Sequence, residues 1–167
     1  MATVHVNLGE IGPHWTKACK KAVADLNALF HRKGVAVVLS ASGAEGPSIT
    51  VRTDSGILGT AVHGKTTAET GDGGRLLRAE VRLPVKVVIN TPDGVRQAGP
   101  GVLKVIAAHE FVHALGQVEH SSHLMAQTLY KQLGNSPAGD TLKAGAVTLP
   151  PLSLASDTVE LLKSIWG

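Results

Sequence analysis

Apolar and polar positions along the chain switch between two periods, and the switches lay out its elements. Val4, Val6 and Leu8 alternate with His5 and Asn7, so Thr3 to Leu8 reads as a strand with one buried face. Gly12-Pro13 then opens a helix. From His14 to about Arg32, Trp15, Ala18, Cys19, Ala22, Val23, Leu26, Leu29 and Phe30 recur at helical spacing, and Gly34 stops the run. The β-branched stretch Val35 to Leu39 predicts a buried strand. Ser48 to Thr53 alternates again, and Ile57 to Val62 predicts a short edge strand containing Gly59. Gly64 to Gly74 is polar and glycine-rich, which predicts a surface loop. Leu76 to Asn90 returns to strand character, with Pro84 marking an edge, a bulge or a break between two strands. Thr91 to Gly101 predicts a loop ending in Gly-Pro-Gly. From Val102 to Leu115 almost every residue is apolar, the mark of a helix buried on most sides. No regular pattern follows Gly116 until Ser156-Asp157, which reads as the cap of a last helix carrying Val159, Leu161, Leu162, Ile165 and Trp166. No repeat or linker divides the chain, so the expectation is one α+β domain spanning 1–167. It has a mixed sheet, a long N-terminal helix, a central helix and a C-terminal helix.

Composition narrows what such a domain is able to be. Hydrophobic residues make up 43% and charged residues 17%, and 167 residues suffice for a core without disulfides. Aromatics are only 3%, so Val, Leu, Ile and Ala must fill that core. Cys19 is the single cysteine, which excludes an intrachain disulfide, a zinc ribbon and a redox pair; its helical context makes it a core thiol. The net charge is +3, and Lys17, Lys20 and Lys21 on the first helix read as a solvated face rather than a nucleic-acid patch. No stretch approaches the roughly 18 apolar residues of a membrane span. Met1 to Glu10 carries no secretory signal pattern, so the compartment stays open between cytoplasm and export. Nothing sets an oligomeric state.

The chemistry gathers on the apolar central helix. Its polar exceptions are Lys104, His109, Glu110 and His113. At about 100° per residue, the two histidines and the glutamate share an arc of roughly 100°, while Lys104 points nearly opposite. Buried ionisable groups are costly unless paired or metal-bound, so three on one arc need a shared partner. Imidazole nitrogen suits zinc, with one tetrahedral position left open for water, and Glu110 stands where a general base would act. His-Glu-x-x-His arises by chance in only roughly a few per cent of chains this long, by residue-frequency arithmetic on the motif.

Gly116 ends the helix, and Glu119, His120, Ser121, His123, Leu124 and Met125 follow within a short loop. This run resembles the metzincin zinc peptidases, and most closely the matrixin branch. Their signature is His-Glu-x-x-His-x-x-Gly-x-x-His followed by a methionine-containing turn. His109, Glu110, His113 and Gly116 match position for position, and Leu124-Met125 is similar to the Met-turn, with Gln127 where a proline is usual. Glu119 stands where the third histidine should fall. Either the loop holds one extra residue and His120 binds zinc, or Glu119 replaces it as an oxygen ligand; His120 is preferred, and His123 is a weaker candidate. Leu154 to Gly167 is similar to the closing matrixin helix, whose acidic residue, matched by Asp157, is tied to the underside of the site. Gly56 to Ala61 is similar to the edge-strand region above the cleft.

The resemblance implies a metzincin-like zincin domain and a zinc endopeptidase. In it His109, His113 and His120 would hold one Zn²⁺, Glu110 would be the general base, and Met125 would floor the site. A peptide or protein substrate would lie extended along the edge strand near Ile57–Val62, and Thr128 to Tyr130 would wall the pocket. No cysteine-switch propeptide is evident. A second zinc or a structural calcium ion (Ca²⁺), to which His63 and the Asp72-Gly73-Gly74 loop would contribute, has no support beside a plain solvated loop. The alternative is a catalytically inactive, zinc-stabilised binding module of the same fold. A glutamate-ligated arrangement through Glu160 is the third reading, without the flanking pattern it needs.

Overall fold

The computed structural model of the chain describes residues 1–43, 45–57, 63–91, 94–127 and 151–167. It is a mixed α/β structure. Five strands, β1 (Ala2–Leu8), β2 (Val37–Ser40), β3 (Ser48–Asp54), β4 (Lys65–Thr70) and β5 (Leu76–Pro84), form one sheet in the order β2-β1-β3-β5-β4. The first four in that order are parallel, and β4 lies antiparallel to β5 on the edge. Strands β6 (Val88–Thr91) and β7 (Gly94–Gln97) make a separate antiparallel pair. Three helices stand among the described residues: α1 (Pro13–Lys33), α2 (Pro100–Leu115) and α3 (Ser156–Trp166).

Parallel neighbours β1 and β2 require a crossover, and α1 supplies it. It opens with Pro13 at its first position and closes on Gly34 in the left-handed conformation, φ 71°. Its buried residues are the eight that the periodicity picks out, Trp15 to Phe30. Asn27 ties it to β2 twice, donating to the Leu39 carbonyl at 2.9 Å and accepting the Leu39 amide at 2.8 Å. Along the sheet Val4, Val6, Leu39, Ile49, Val51 and Val81 fill the inner face beneath α1 and α2. The opposite face carries Arg52, Arg78 and Arg82 paired with Glu80, Glu69 and Asp54. Among the described residues the helices cover one face of the sheet, as the alternation in β1 and β3 implies.

Three expectations need correction. The segment read as a loop, Gly64 to Gly74, contains β4, with a 3-10 turn at Asp72–Gly74. Ala68 is the single apolar residue of β4 and only Thr66 is half-buried, so no hydrophobic alternation betrays it. The segment Thr91 to Gly101 likewise contains β7. Helix α3 starts at Ser156 with Ala155 as its cap residue; alanine carries no side-chain acceptor, so there is no side-chain cap bond, and the Asp157 carboxylate in the first turn accepts from the Ser121 hydroxyl and the Thr158 amide. Pro84 ends β5, so the break between two strands is the arrangement found. Of the expected edge strand Ile57–Val62, residues 58–62 lie outside the described residues, as do Thr128 to Tyr130. Among the described residues no helix is long and apolar enough to cross a membrane.

Candidate metal centre

Helix α2 is buried along most of its length, its apolar residues from Val102 to Leu115 all lying inside. His109 and Glu110 are 6% and 5% exposed, so their polar atoms must find partners inside the protein. His109 Nδ1 lies 2.7 Å from the Leu124 carbonyl oxygen, and His113 Nδ1 lies 2.5 Å from that of Gln117. A carbonyl only accepts, so each Nδ1 carries the proton and each Nε2 of the neutral ring presents a lone pair. These two Nε2 atoms face one another at 2.9 Å. Two lone pairs at that distance repel unless a cation lies between them. Burial pushes His109 down to about 4, with the neighbouring His113 and His120 adding to the effect and the Leu124 bond opposing it. Burial also lowers His113. A proton is thus a poor cation for this site, and a metal ion is a suitable one.

His120 completes the set. Its ring centroid lies 5.4 Å from that of His109 and 5.2 Å from that of His113. One ring nitrogen from each of the three histidines falls within 4.8 Å of the others, the one such group of possible metal ligands among the described residues. Three imidazole nitrogens, from buried His109, half-buried His113 and exposed His120 on the solvent side, fit zinc with a position left for a small ligand. Glu119 is exposed and outside the group. So are His123, whose Nδ1 lies 3.0 Å from Ser153 Oγ, Asp72 in its exposed turn, and Glu160 on α3. His63 is half-buried and also outside it.

Glu110 stands beside the histidines. Its Oε1 accepts the Thr66 hydroxyl at 3.0 Å, and its Oε2 lies 3.9 Å from His109 Nε2. Burial pushes the carboxyl up to about 7, against the Thr66 hydrogen bond. Gly64 packs on this side chain: a Cβ there would come within 2.8 Å of Glu110 Cγ. Lys104, on the opposite side of α2, is paired with Asp25 of α1 at 2.8 Å.

The rest of the surroundings brace the helix end and the loop. Gly116 adopts φ 138°, a backbone conformation that favours glycine, and the Ile165 side chain packs over it. The Trp166 indole donates to the Leu115 carbonyl at 2.9 Å. Ser121 Oγ donates to Asp157 Oδ2 at 2.6 Å, which holds the Asp157 carboxyl below its ordinary range. Leu124 and Met125 are buried, in a turn closed by the Met125 amide on the Ser122 carbonyl at 3.2 Å. Sequence reasoning missed Thr66, Gly64 and Gln117. The only signal for Thr66 was the β-branched content of Thr66, Thr67 and Thr70, and Gln117 carried none.

No protein-family model and no curated protein matches the sequence. Among solved structures the chain is similar to high choriolytic enzyme 1, a hatching enzyme zinc-protease from the medaka fish Oryzias latipes. The identity is 14% and the TM-score 0.40, over 71% of this chain and 44% of that one. The chain therefore spans less than half the length of that structure. A likeness this distant carries no argument, and the chemistry rests on the residues above.

Proposed function

We propose that the chain is a zinc-dependent endopeptidase of the metzincin class, matrixin-like, with His109, His113 and His120 as ligands and Glu110 as general base. The observation that carries this reading is the pair of Nε2 lone pairs facing one another at 2.9 Å, with the tautomers locked by carbonyls and a buried carboxylate alongside. Zinc held there supplies Lewis-acid polarisation of a water and of a substrate carbonyl. Glu110 Oε2, the oxygen not bonded to Thr66, accepts a proton from the water as its oxygen bonds to the peptide carbonyl carbon. Glu110 then returns that proton to the amide nitrogen as the C–N bond breaks, so the carboxylate ends as it began. Burial raises its basicity towards neutral pH, where such a base works best. Met125 serves as an apolar floor below the histidines. The substrate lies extended along the sheet edge near Ile57–Val62 and β4, backbone to backbone.

The test is Glu110→Ala, measured for zinc content and for cleavage of a labelled casein. Stoichiometric zinc with cleavage abolished is the expected outcome; retained cleavage overturns the mechanism. A zinc-stabilised binding module of the same fold instead predicts zinc without cleavage in the wild-type protein.

A further inference from the structure

His120 reaches the other two histidines from a loop, so its position depends on what shapes that loop. Three residues separate Gly116 from His120, one more than the spacing of the signature that the sequence resembles. Their burial is inverted: the amide residue Gln117 is 8% exposed, whereas the apolar Val118 is 79% exposed. The hydrogen bonds explain the inversion. The Val118 amide donates back to the Gly116 carbonyl at 3.0 Å, so the chain reverses at Gln117 and carries Val118 outward. Gln117 is fixed by its own backbone, its amide on the Val112 carbonyl at 3.2 Å and its carbonyl on His113 Nδ1 at 2.5 Å. From that position its Nε2 donates to the Glu119 carbonyl at 2.8 Å, bridging Val118.

The Glu119 carbonyl belongs to the peptide that leads into His120. On the far side of His120, the Ser121 amide donates to the Met125 carbonyl at 2.8 Å and its hydroxyl to Asp157. His120 is therefore clamped on both flanks, and Gln117 is the side chain of the first clamp. We propose that Gln117 is the positioning residue for the third ligand: its bridge to Glu119 loops out Val118 as the surplus residue and presents the His120 imidazole to His109 and His113. This inference rests on the zinc reading above. Without the bridge, the peptide between Glu119 and His120 is free to turn, and the Glu119 carboxylate competes with His120 for the metal.

Zinc dissociation constants, from competition with a chromophoric chelator, and the number of imidazole ligands, from X-ray absorption of the zinc-loaded protein, test it. The proteins compared are the wild type, Gln117→Leu, and Gln117→Leu with Val118 deleted. Leucine keeps the backbone bonds and nearly the same volume. The expected result for Gln117→Leu is a zinc Kd raised roughly 10- to 100-fold, the scale of losses from groups that orient ligands. Its imidazole count should fall from three to two. Deleting Val118 should restore both, because the shortened loop needs no bridge. Gln117→Glu, which turns the donor into an acceptor, should behave like the leucine variant and replaces it if that one fails to fold. An unchanged Kd with three imidazoles overturns the proposal, and so does a loss that deletion of Val118 does not restore. Failure of the wild type to bind zinc through three imidazoles is a distinct result, which overturns the zinc reading and the role of the bridge together.

Discussion

Gly64 offers a perturbation that separates catalysis from metal binding. A Cβ placed there stands 2.8 Å from Glu110 Cγ, 3.0 Å from Cδ and 3.3 Å from Oε2. Carbon atoms in contact sit about 3.5–4.0 Å apart, so in Gly64→Ala the methyl group and the glutamate must part by roughly 0.7–1.2 Å. Gly64 is not among the glycines with positive φ, and alanine meets no backbone penalty there. The yielding partner is the Glu110 side chain, which swings away and gives up its bond from Thr66. Losing that bond costs about 1 kcal/mol of stability. Moving a general base by about 1 Å costs on the order of 100-fold in rate, or about 2.7 kcal/mol of barrier. His109 and His113 are untouched. Gly64→Ala should therefore keep the wild-type zinc affinity, melt within a few degrees of wild type, and cleave labelled casein on the order of 100-fold more slowly. Undiminished cleavage would refute the placement of Gly64 over the base. Zinc lost in step with activity would refute the separation of base from ligands.

Two further perturbations bear on the same carboxylate. Thr66→Val removes the hydroxyl that holds Glu110 Oε1 while keeping the side-chain shape, so kcat should fall about 10-fold, the equivalent of one hydrogen bond, with KM unchanged. Thr66→Ser should recover most of the loss, and a serine variant as slow as the valine one would count against the role. In metal-free protein, burial raises Glu110 to about 7, so its folded state binds that proton more tightly than the unfolded chain does. The associated stability is fully present below about 4.5 and is lost as pH rises through 7. Glu110→Gln should then leave the urea midpoint near wild type at pH 4 and raise stability at pH 8 by on the order of 3 kcal/mol. Equal midpoints at both pH values would show that the carboxyl is not buried as described.

The parts of this protein that the sequence makes legible are those in which regular geometry converts spacing into position. Helix α1 is readable because its buried face repeats at helical period, and His109 and His113 because a helix places residues four apart on one side. β4 is not readable. An edge strand with Ala68 as its single apolar residue has no apolar alternation, and its one half-buried side chain, Thr66, is turned to Glu110. The loop after Gly116 resists reading for a different reason. Its shape is set by Ser121 with Asp157, by the Leu124 amide on the Ser153 carbonyl, and by the Gln117 bridge, and the first two join residues far apart in sequence.

The histidine tautomers sharpen that point. They are fixed by the main-chain carbonyls of Leu124 and Gln117, groups that every residue carries and that leave no mark on a sequence. A spacing rule identifies which imidazoles are candidates, but only the folded loop decides which nitrogen of each carries the lone pair. The loop that orients the third histidine is also the loop that sets the tautomers of the first two. Its length and bracing therefore control all three nitrogens at once, and a single residue gained there requires a compensating contact such as Gln117 supplies.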